Sequence, residues 1–246
     1  MAFLIGGTSV TRQLPESIST GSHHFDRILR SGFPSGHLAL VYGEAGTGKT
    51  TMVMQCAVNC ARLGFKTIFV DSDGTFSVVR LSQMACYDVD AISPLIILFT
   101  PKLFEEQTQI VEQLSSFVTQ QVALIAIDTI TSLYRVELDS PKDTFSLNRA
   151  LNRQLAYLLQ LARVHKIAVI VTSQVRSIFG DEMKEERIEP VATRAVKFWA
   201  EIIVNLKSTQ RPTVKEAIVE RYLSKESPEA RCRFALTNIG IKDVER

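Results

Sequence analysis

The octapeptide Gly43-Glu44-Ala45-Gly46-Thr47-Gly48-Lys49-Thr50 constrains the fold more than any other part of the chain. It fits the pattern G-x-x-x-x-G-K-[ST], and it stands between an apolar run at residues 38–42 and a helical pattern at residues 50–63. A loop that binds phosphate needs a strand before it and a helix after it, because the helix N-terminus points its N–H groups at the anion. The chain is therefore expected to be an α/β protein with a nucleotide site at this loop, called the phosphate loop below.

The residue types in the phosphate loop suit Mg·ATP. Glycines let backbone N–H groups converge on phosphate oxygens without interference from a Cβ atom. Lys49 would neutralise the β and γ phosphates, and the Thr50 hydroxyl would ligate Mg²⁺. The predicted ATP-binding residues of this segment are Gly43, Glu44, Ala45, Gly46, Thr47, Gly48, Lys49, Thr50 and Thr51.

Short apolar runs alternate with helical patterns along the first two thirds of the chain. The runs lie at residues 38–42, 67–70, 95–99, 122–127 and 167–172. Because these runs are apolar throughout, they predict strands covered on both faces, and their alternation with helices predicts a parallel sheet. Later runs at residues 202–206, 217–222 and 231–236 follow one another with only turns between them. The expected fold is a mostly parallel sheet with helices on both faces and a small antiparallel C-terminal extension.

A second polar group for Mg²⁺ is predicted at Asp128, which follows the apolar strand at residues 122–127. Ligands of open parallel sheets bind beyond the carboxyl ends of the strands. Asp128 is therefore expected to face the same crevice as the phosphate loop and to hold Mg²⁺ together with Thr50. Strand-end polar residues elsewhere offer groups that could orient an attacking water: Asp71, Asp73 and Gln174.

The ordered set of motifs resembles a known family. Ser19-Thr20-Gly21, Asp73-Gly74-Thr75-Phe76, Leu133-Tyr134-Arg135 and Thr172-Ser173-Gln174-Val175 surround the phosphate loop in chain order. The sequence looks like the RecA/RadA recombinases, and most like the archaeal RadB-type paralogues, over residues 17–240. The resemblance implies a RecA-like P-loop ATPase core.

The resemblance also implies roles for single residues. Asp73 stands where the family has its catalytic Glu, and Lys49 assists at the γ-phosphate. Arg80 matches the position whose guanidinium packs on adenine. Gln174 matches the residue that couples the γ-phosphate to the DNA-binding loops, which would be residues 135–146 and 176–192.

The sequence also departs from the family. No helix-hairpin-helix domain is found, so the expected organisation is an arm at residues 1–16 and a RecA-like ATPase domain at residues 17–246. The arm lacks the Phe-x-x-Ala motif through which family members polymerise, which leaves filament formation open. Ala192 and Thr193 replace a Gly-Gly pair. Asp73 is one methylene shorter than Glu, which predicts slow hydrolysis.

Composition excludes some classes of protein. The 246 residues carry a net charge of +2, which is too small for binding nucleic acid through an overall basic field. The four cysteines and four histidines show no metal-ligand spacing, so zinc is not expected. We find no signal peptide and no apolar run long enough for a membrane span, so a cytoplasmic protein is expected.

Two functions remain open from the sequence. The first is a slow, DNA-dependent ATPase of homologous recombination and repair, an accessory to a RadA-like main recombinase that binds single-stranded DNA. The second is an ATP-gated interaction protein, like the KaiC-type regulators, without a DNA role. Residues 176–190, the segment expected to be mobile, carry more Asp and Glu than Lys and Arg, which favours the second function. Homo-oligomerisation and other repair partners are left open.

Overall fold

The computed structural model describes residues 13–138, 144–178, 187–190, 192–223 and 230–244. Within them the strands are β1 (Ser17–Ile18), β2 (Phe33–Pro34), β3 (Leu38–Gly43), β4 (Lys66–Asp71), β5 (Ile96–Phe99), β6 (Val122–Asp128), β7 (Ala168–Ser173), β8 (Val175–Ile178), β9 (Arg187–Pro190), β10 (Ile202–Ser208), β11 (Val214–Tyr222), β12 (Ala230–Thr237) and β13 (Gly240–Asp243). The helices are α1 (His23–Ile28), α2 (Lys49–Arg62), α3 (Val78–Ala85), α4 (Val89–Ile92), α5 (Phe104–Phe117), α6 (Ser132–Leu138), α7 (Thr144–His165) and α8 (Thr193–Trp199).

One nine-stranded sheet organises the chain. Its strand order is β13-β12-β11-β10-β3-β7-β6-β4-β5. The strands from β10 to β5 pair in parallel, and β11, β12 and β13 continue the sheet with antiparallel pairs. The predicted α/β class, with a parallel core and an antiparallel extension, is confirmed.

Both faces of the inner parallel strands β3, β4, β6 and β7 are buried, as their continuous apolar sequences predict, whereas the edge strand β5 is partly exposed. Side chains alternate between the faces along β3, where Leu38, Leu40 and Tyr42 join one core cluster and Ala39 and Val41 join the other. Helix α2 packs into the second cluster, and α5 and α7 pack into the first. The core therefore has two layers, and the strand ends remain the place where polar groups meet solvent.

The structure adds elements that the patterns did not predict. Strand β13 is an additional strand beyond the three predicted for the extension, and the first of those three, β10, also pairs in parallel with β3. Helix α6 occupies the start of the predicted DNA loop at residues 135–146. Strands β8 and β9 form a hairpin at the two ends of the segment expected to be mobile. The middle of that segment, residues 179–186, and most of the predicted arm, residues 1–12, lie outside the described part of the chain.

Candidate nucleotide site

The phosphate loop leaves the carboxyl end of β3 and enters α2, as predicted. Its turn is closed from within, because the Thr47 hydroxyl donates to the Glu44 carbonyl at 2.8 Å. Gly43 lies against the neighbouring strand, where an added Cβ would stand 2.2 Å from the carbonyl oxygen of Leu206. The close approach of β10 therefore explains the first glycine of the motif.

Gly48 is the N-cap of α2, and its backbone is left-handed with φ of 97°. An added Cβ would stand 2.6 Å from Cδ2 of Leu236, which comes from β12. Glycine is required here for two reasons, the backbone conformation and the neighbouring side chain. The antiparallel extension thus packs directly against the end of the phosphate loop, where α2 begins.

Lys49 folds back over the loop. Its Nζ donates to the carbonyl oxygens of Gly43 and Glu44, both at 2.8 Å. The side chain is buried, and this burial lowers the pKa of Lys49, while the charges of Asp128, Asp73 and Glu44 act in the opposite direction. A buried ammonium group needs hydrogen-bond acceptors, and phosphate oxygens can replace the two carbonyl oxygens in that role.

Asp128 ends β6 and is completely buried. One carboxylate oxygen accepts a short hydrogen bond from the Thr172 hydroxyl, and the other, Oδ2, has no hydrogen-bond partner. Burial raises the pKa of Asp128, while the hydroxyls of Thr172 and Thr50 and the charge of Lys49 oppose that shift. An unpartnered buried carboxylate oxygen is costly unless a ligand satisfies it.

These groups fit Mg²⁺. The ion prefers hard oxygen ligands and keeps several of its waters, so one protein hydroxyl and one nearby carboxylate suffice beside the phosphates. Thr50 lies in the first turn of α2 and lines the cleft. Asp128 lies close enough to the Thr50 hydroxyl for that group to lower the pKa of Asp128. The open Oδ2 of Asp128 is the observation that supports this assignment.

The two aspartates after β4 have different surroundings. Asp71 is buried, and its carboxylate accepts from the backbone N–H groups of Thr75 and Phe76 at 3.1 and 2.9 Å. It therefore holds the turn. Asp73 instead lines the cleft, where both of its oxygens accept from Nε2 of Gln174 at 3.2 Å.

Gln174 joins Asp73 to helix α6. Its Oε1 accepts from Nη1 of Arg135 at 3.2 Å while its Nε2 donates to Asp73. The amide is thus polarised from both ends and spans from the end of β4 to α6. A ligand that moves this amide would change both contacts, because both belong to the one planar group of Gln174.

These residues surround a cleft of about 650 Å³. Among the predicted site residues, its lining includes Ala45, Gly46, Gly48, Lys49, Thr50, Thr51, Asp73, Arg80 and Gln174. Gly43, Glu44 and Thr47 form hydrogen bonds within the loop and do not line the cleft. Asp128 does not line it either, but the next residue, Thr129, does.

Sequence reasoning missed part of the wall. Thr75, Thr129, Arg135 and Leu236 also line the cleft. Arg135 belongs to a recognised motif, so its position could have been predicted. Leu236 could not, because it reaches the loop only through the pairing of β12 in the sheet.

The fold and this loop define a RecA-like P-loop protein, and comparisons with known proteins agree. The chain matches the Rad51 family over residues 11–244. A DNA repair and recombination protein RadB from Thermococcus gammatolerans is 36% identical over 231 residues, covering 92% of this chain and 99% of the relative. The one from Methanococcoides burtonii is 31% identical over 232 residues, covering 94% and 100%.

A solved crystal structure of the RadB recombinase superposes with a TM-score of 0.77 at 33% identity, covering 93% of this chain and 100% of that one. The chain therefore belongs to the Rad51 family, among its RadB-type members. The resemblance found in the sequence is confirmed over nearly the whole chain. No helix in the described part of the chain has the length and apolarity needed to cross a membrane.

Proposed function

We propose that this protein binds Mg·ATP in the cleft beside the phosphate loop, hydrolyses it slowly, and uses it to control binding to single-stranded DNA in homologous recombination and repair. The observation that carries the proposal is the buried, open Oδ2 of Asp128 beside Lys49 and Thr50. Membership of the Rad51 family and relatives named DNA repair and recombination proteins support the repair role. We assign this function to an ATPase domain at residues 17–246.

The residues divide the work in the cleft. Lys49 would leave the carbonyl oxygens of Gly43 and Glu44 for the phosphates, and the N–H groups at the start of α2 would complete the cradle. Thr50 and Asp128 would hold Mg²⁺, which supplies charge neutralisation on the transferring phosphate. Arg80 lines the same cleft and is assigned to the adenine.

Hydrolysis needs a group that orients water, and Asp73 is assigned to that task together with Gln174. Both oxygens of Asp73 accept from the Gln174 amide, and the carboxylate has further lone pairs with which to hold a water. The side chain of Asp73 is one methylene shorter than Glu, and this shorter reach supports slow turnover. Gln174 also accepts from Arg135, so a movement of Gln174 would act on α6.

The contact between Gln174 and Arg135 would connect the nucleotide cleft to the segment assigned to DNA. Helix α6 leads into residues 139–143, inside the segment assigned to DNA by the family resemblance. A γ-phosphate that attracts Gln174 would pull on Arg135 and so bias the position of α6. DNA affinity would then depend on the nucleotide, as linkage between two sites requires. A main recombinase of the RadA type is the partner that such an accessory protein would serve.

Fluorescence anisotropy of labelled single-stranded DNA tests the proposal. The protein is titrated with and without Mg·ATP at two salt concentrations, beside Lys49→Ala and the exposed-lysine control Lys102→Ala. We expect affinity that rises with ATP, falls with salt, and loses its ATP dependence only in Lys49→Ala. Failure to bind DNA at low salt while ATP is bound would refute the DNA role of the isolated chain.

A second function has one observation in its favour. Residues 176–190 contain more acidic than basic side chains, which is unfavourable for a phosphate backbone. The same cleft could then gate contacts with a protein partner, as in KaiC-type regulators. ATP-dependent binding to a repair protein, together with absent DNA binding in the same titration, would select this alternative.

A further inference from the structure

A second groove lies on the antiparallel extension and shares no residue with the nucleotide cleft. Its volume is about 850 Å³. One wall comes from α1, another from the β10–β11 turn, and the floor follows β12. We call it the β12 groove. Neither the sequence motifs nor the proposed function uses it.

The groove runs along the edge of a strand. Arg231, Cys232 and Arg233 are consecutive in β12, so their side chains alternate between the two faces of the sheet. All three nevertheless line the same groove. Val244, which follows the edge strand β13, lines the groove too, so the groove reaches the edge of the sheet beside β12.

That edge has no strand partner among the described residues. Strand β13 pairs with Phe234–Thr237 only, which leaves the first half of β12 paired on the β11 side alone. The side chain of Asp243 ends β13 there, because it accepts from the Ser22 hydroxyl and from the N–H groups of His23 and His24 at the start of α1. An open strand edge offers both N–H donors and carbonyl acceptors to another extended chain.

Among the described residues, the lining of the groove carries more positive than negative charge. It contains the exposed arginines Arg27, Arg211, Arg231 and Arg233 and one carboxylate, that of Glu216. Guanidinium groups suit carboxylates through paired hydrogen bonds. The arginines come from three separate elements, so their side chains surround the groove instead of following one helix face.

The remaining lining combines aliphatic side chains with the polar side chains of His24, Thr209 and Gln210. Ile28, Val214 and Val244 contribute apolar surface, and burial raises the pKa of Cys232 to about 12, which keeps its thiol neutral. Among the residues that the structure describes, no Phe, Tyr or Trp lines the groove, and the imidazole of His24 is the one ring in the lining. Single-stranded nucleic acids are usually held by stacking on several aromatic rings, so the lining favours a peptide over a nucleic acid.

We propose that the β12 groove binds an extended acidic peptide of a partner protein, which pairs with the open edge of β12 and places its carboxylates on the surrounding arginines. Main-chain hydrogen bonds would provide affinity, and alternate side chains would provide specificity. The site is independent of the nucleotide cleft and requires neither ATP nor DNA.

The test uses a fluorescein-labelled heptapeptide of alternating Glu and Val, titrated with the full chain in the absence of nucleotide. A Lys–Val heptapeptide is the charge control, and labelled dT15 is the nucleic-acid comparison. Two further Glu–Val peptides carry N-methyl groups on odd or on even residues. Because neighbours in a strand point their N–H groups to opposite edges, only one of the two methylation patterns blocks pairing with β12.

We expect the Glu–Val peptide to bind and the Lys–Val peptide not to bind. The variant Arg211→Glu/Arg233→Glu should weaken binding by about tenfold or more, since two charge-assisted contacts are reversed. Arg149→Glu, which changes an exposed arginine on α7, should leave it unchanged. One methylated peptide should lose at least about tenfold in affinity and the other should not.

Any of three results would overturn the proposal. No binding of the Glu–Val peptide up to about 1 mM would do so. An affinity for this peptide that is the same in wild type and in the double variant would do so as well. Equal affinity of both methylated peptides and the parent would rule out strand pairing. If dT15 alone binds and is weakened by the double variant, the groove is a nucleic-acid site instead. None of these results bears on ATP binding, so the proposed function is judged separately.

Discussion

The parallel strands and the antiparallel extension place their polar side chains differently. Strand β6 is buried along its whole length, and its polar group, Asp128, stands at its last position. Strand β12 carries the exposed Arg231 and Arg233 along its length, with Phe234 buried directly after Arg233. Helices cover both faces of the first region, whereas the second buries one face. Polar side chains are therefore confined to the strand ends in the parallel region, whereas in the antiparallel extension they lie along a face and an edge.

The two regions share one core cluster, and at the nucleotide cleft they meet through an apolar contact. Leu236 of β12 stands where a side chain on Gly48 would have to go. The extension therefore shapes the nucleotide cleft by packing, while its charges lie elsewhere. The predictions below test this division, beginning with the largest expected effect.

A buried position in the parallel region should be far less tolerant than a polar position on the extension. Ile125→Ala should lower the free energy of unfolding by about 3 kcal/mol, because it leaves a cavity between two packed layers. Arg233→Ala, on an exposed side chain, should change it by less than about 0.5 kcal/mol. Urea denaturation measures both free energies of unfolding. Similar losses of stability in the two variants would contradict the difference between the two regions.

The contact between the regions can be measured with a double-mutant cycle. Gly48→Ala should destabilise the protein by roughly 1–2 kcal/mol, since the left-handed backbone and Leu236 both oppose a Cβ. In a Leu236→Ala background the loss should be smaller, but not zero, because the backbone strain remains. Additive losses in thermal denaturation would show that Leu236 does not restrict this position.

The strand-end chemistry of the parallel region is tested at Asp73. Asp73→Glu should raise the rate of phosphate release about tenfold, equivalent to ~1.4 kcal/mol, because the longer side chain reaches further into the cleft. Asp73→Asn is the companion variant and should lower the rate. Nucleotide affinity is measured in parallel so that binding and turnover are separated, and an unchanged rate in Asp73→Glu would refute the length argument.

A buried carboxylate at a strand end should cost stability when no ligand is present. Burial raises the pKa of Asp128, so the folded protein holds this proton more tightly than the unfolded chain does. Its contribution to stability is then fully present below the ordinary carboxylate pKa and is lost as the pH rises through the raised value. Asp128→Asn should therefore stabilise the protein at neutral pH by up to ~1 kcal/mol, or roughly 2–4 °C.

The control for Asp128→Asn is the acidic range, where the difference from wild type should vanish because the wild-type carboxyl is protonated. Mg·ATP should reverse the order at neutral pH, since only wild type gains stability from the bound ion. Calorimetry without nucleotide that finds the variant less stable at neutral pH would contradict the assigned cost of burial.

Much of the nucleotide site was predictable because its motif is local. Residues 43–51 follow one another, so their strand–loop–helix conformation depends on nearby sequence. Asp128 was predictable for a related reason, since a carboxylate after a fully apolar run lies at the sheet edge where ligands bind. The three predicted C-terminal strands were also recognisable from nearby sequence, since each is a local apolar run. Strand β13 has only four residues and was not recognised.

The sequence by itself determined the fold class, the phosphate loop and the order of its strand-end polar residues, because each depends on periodicity or on contiguous residues. Tertiary structure alone decided that Asp71 holds a turn while Asp73 meets Gln174, and that Leu236 limits Gly48. It also decided that, among the described residues, the first half of β12 has a strand partner on the β11 side alone. These facts depend on which distant strands become neighbours. Strand order results from packing across the whole sheet, and no local pattern encodes it.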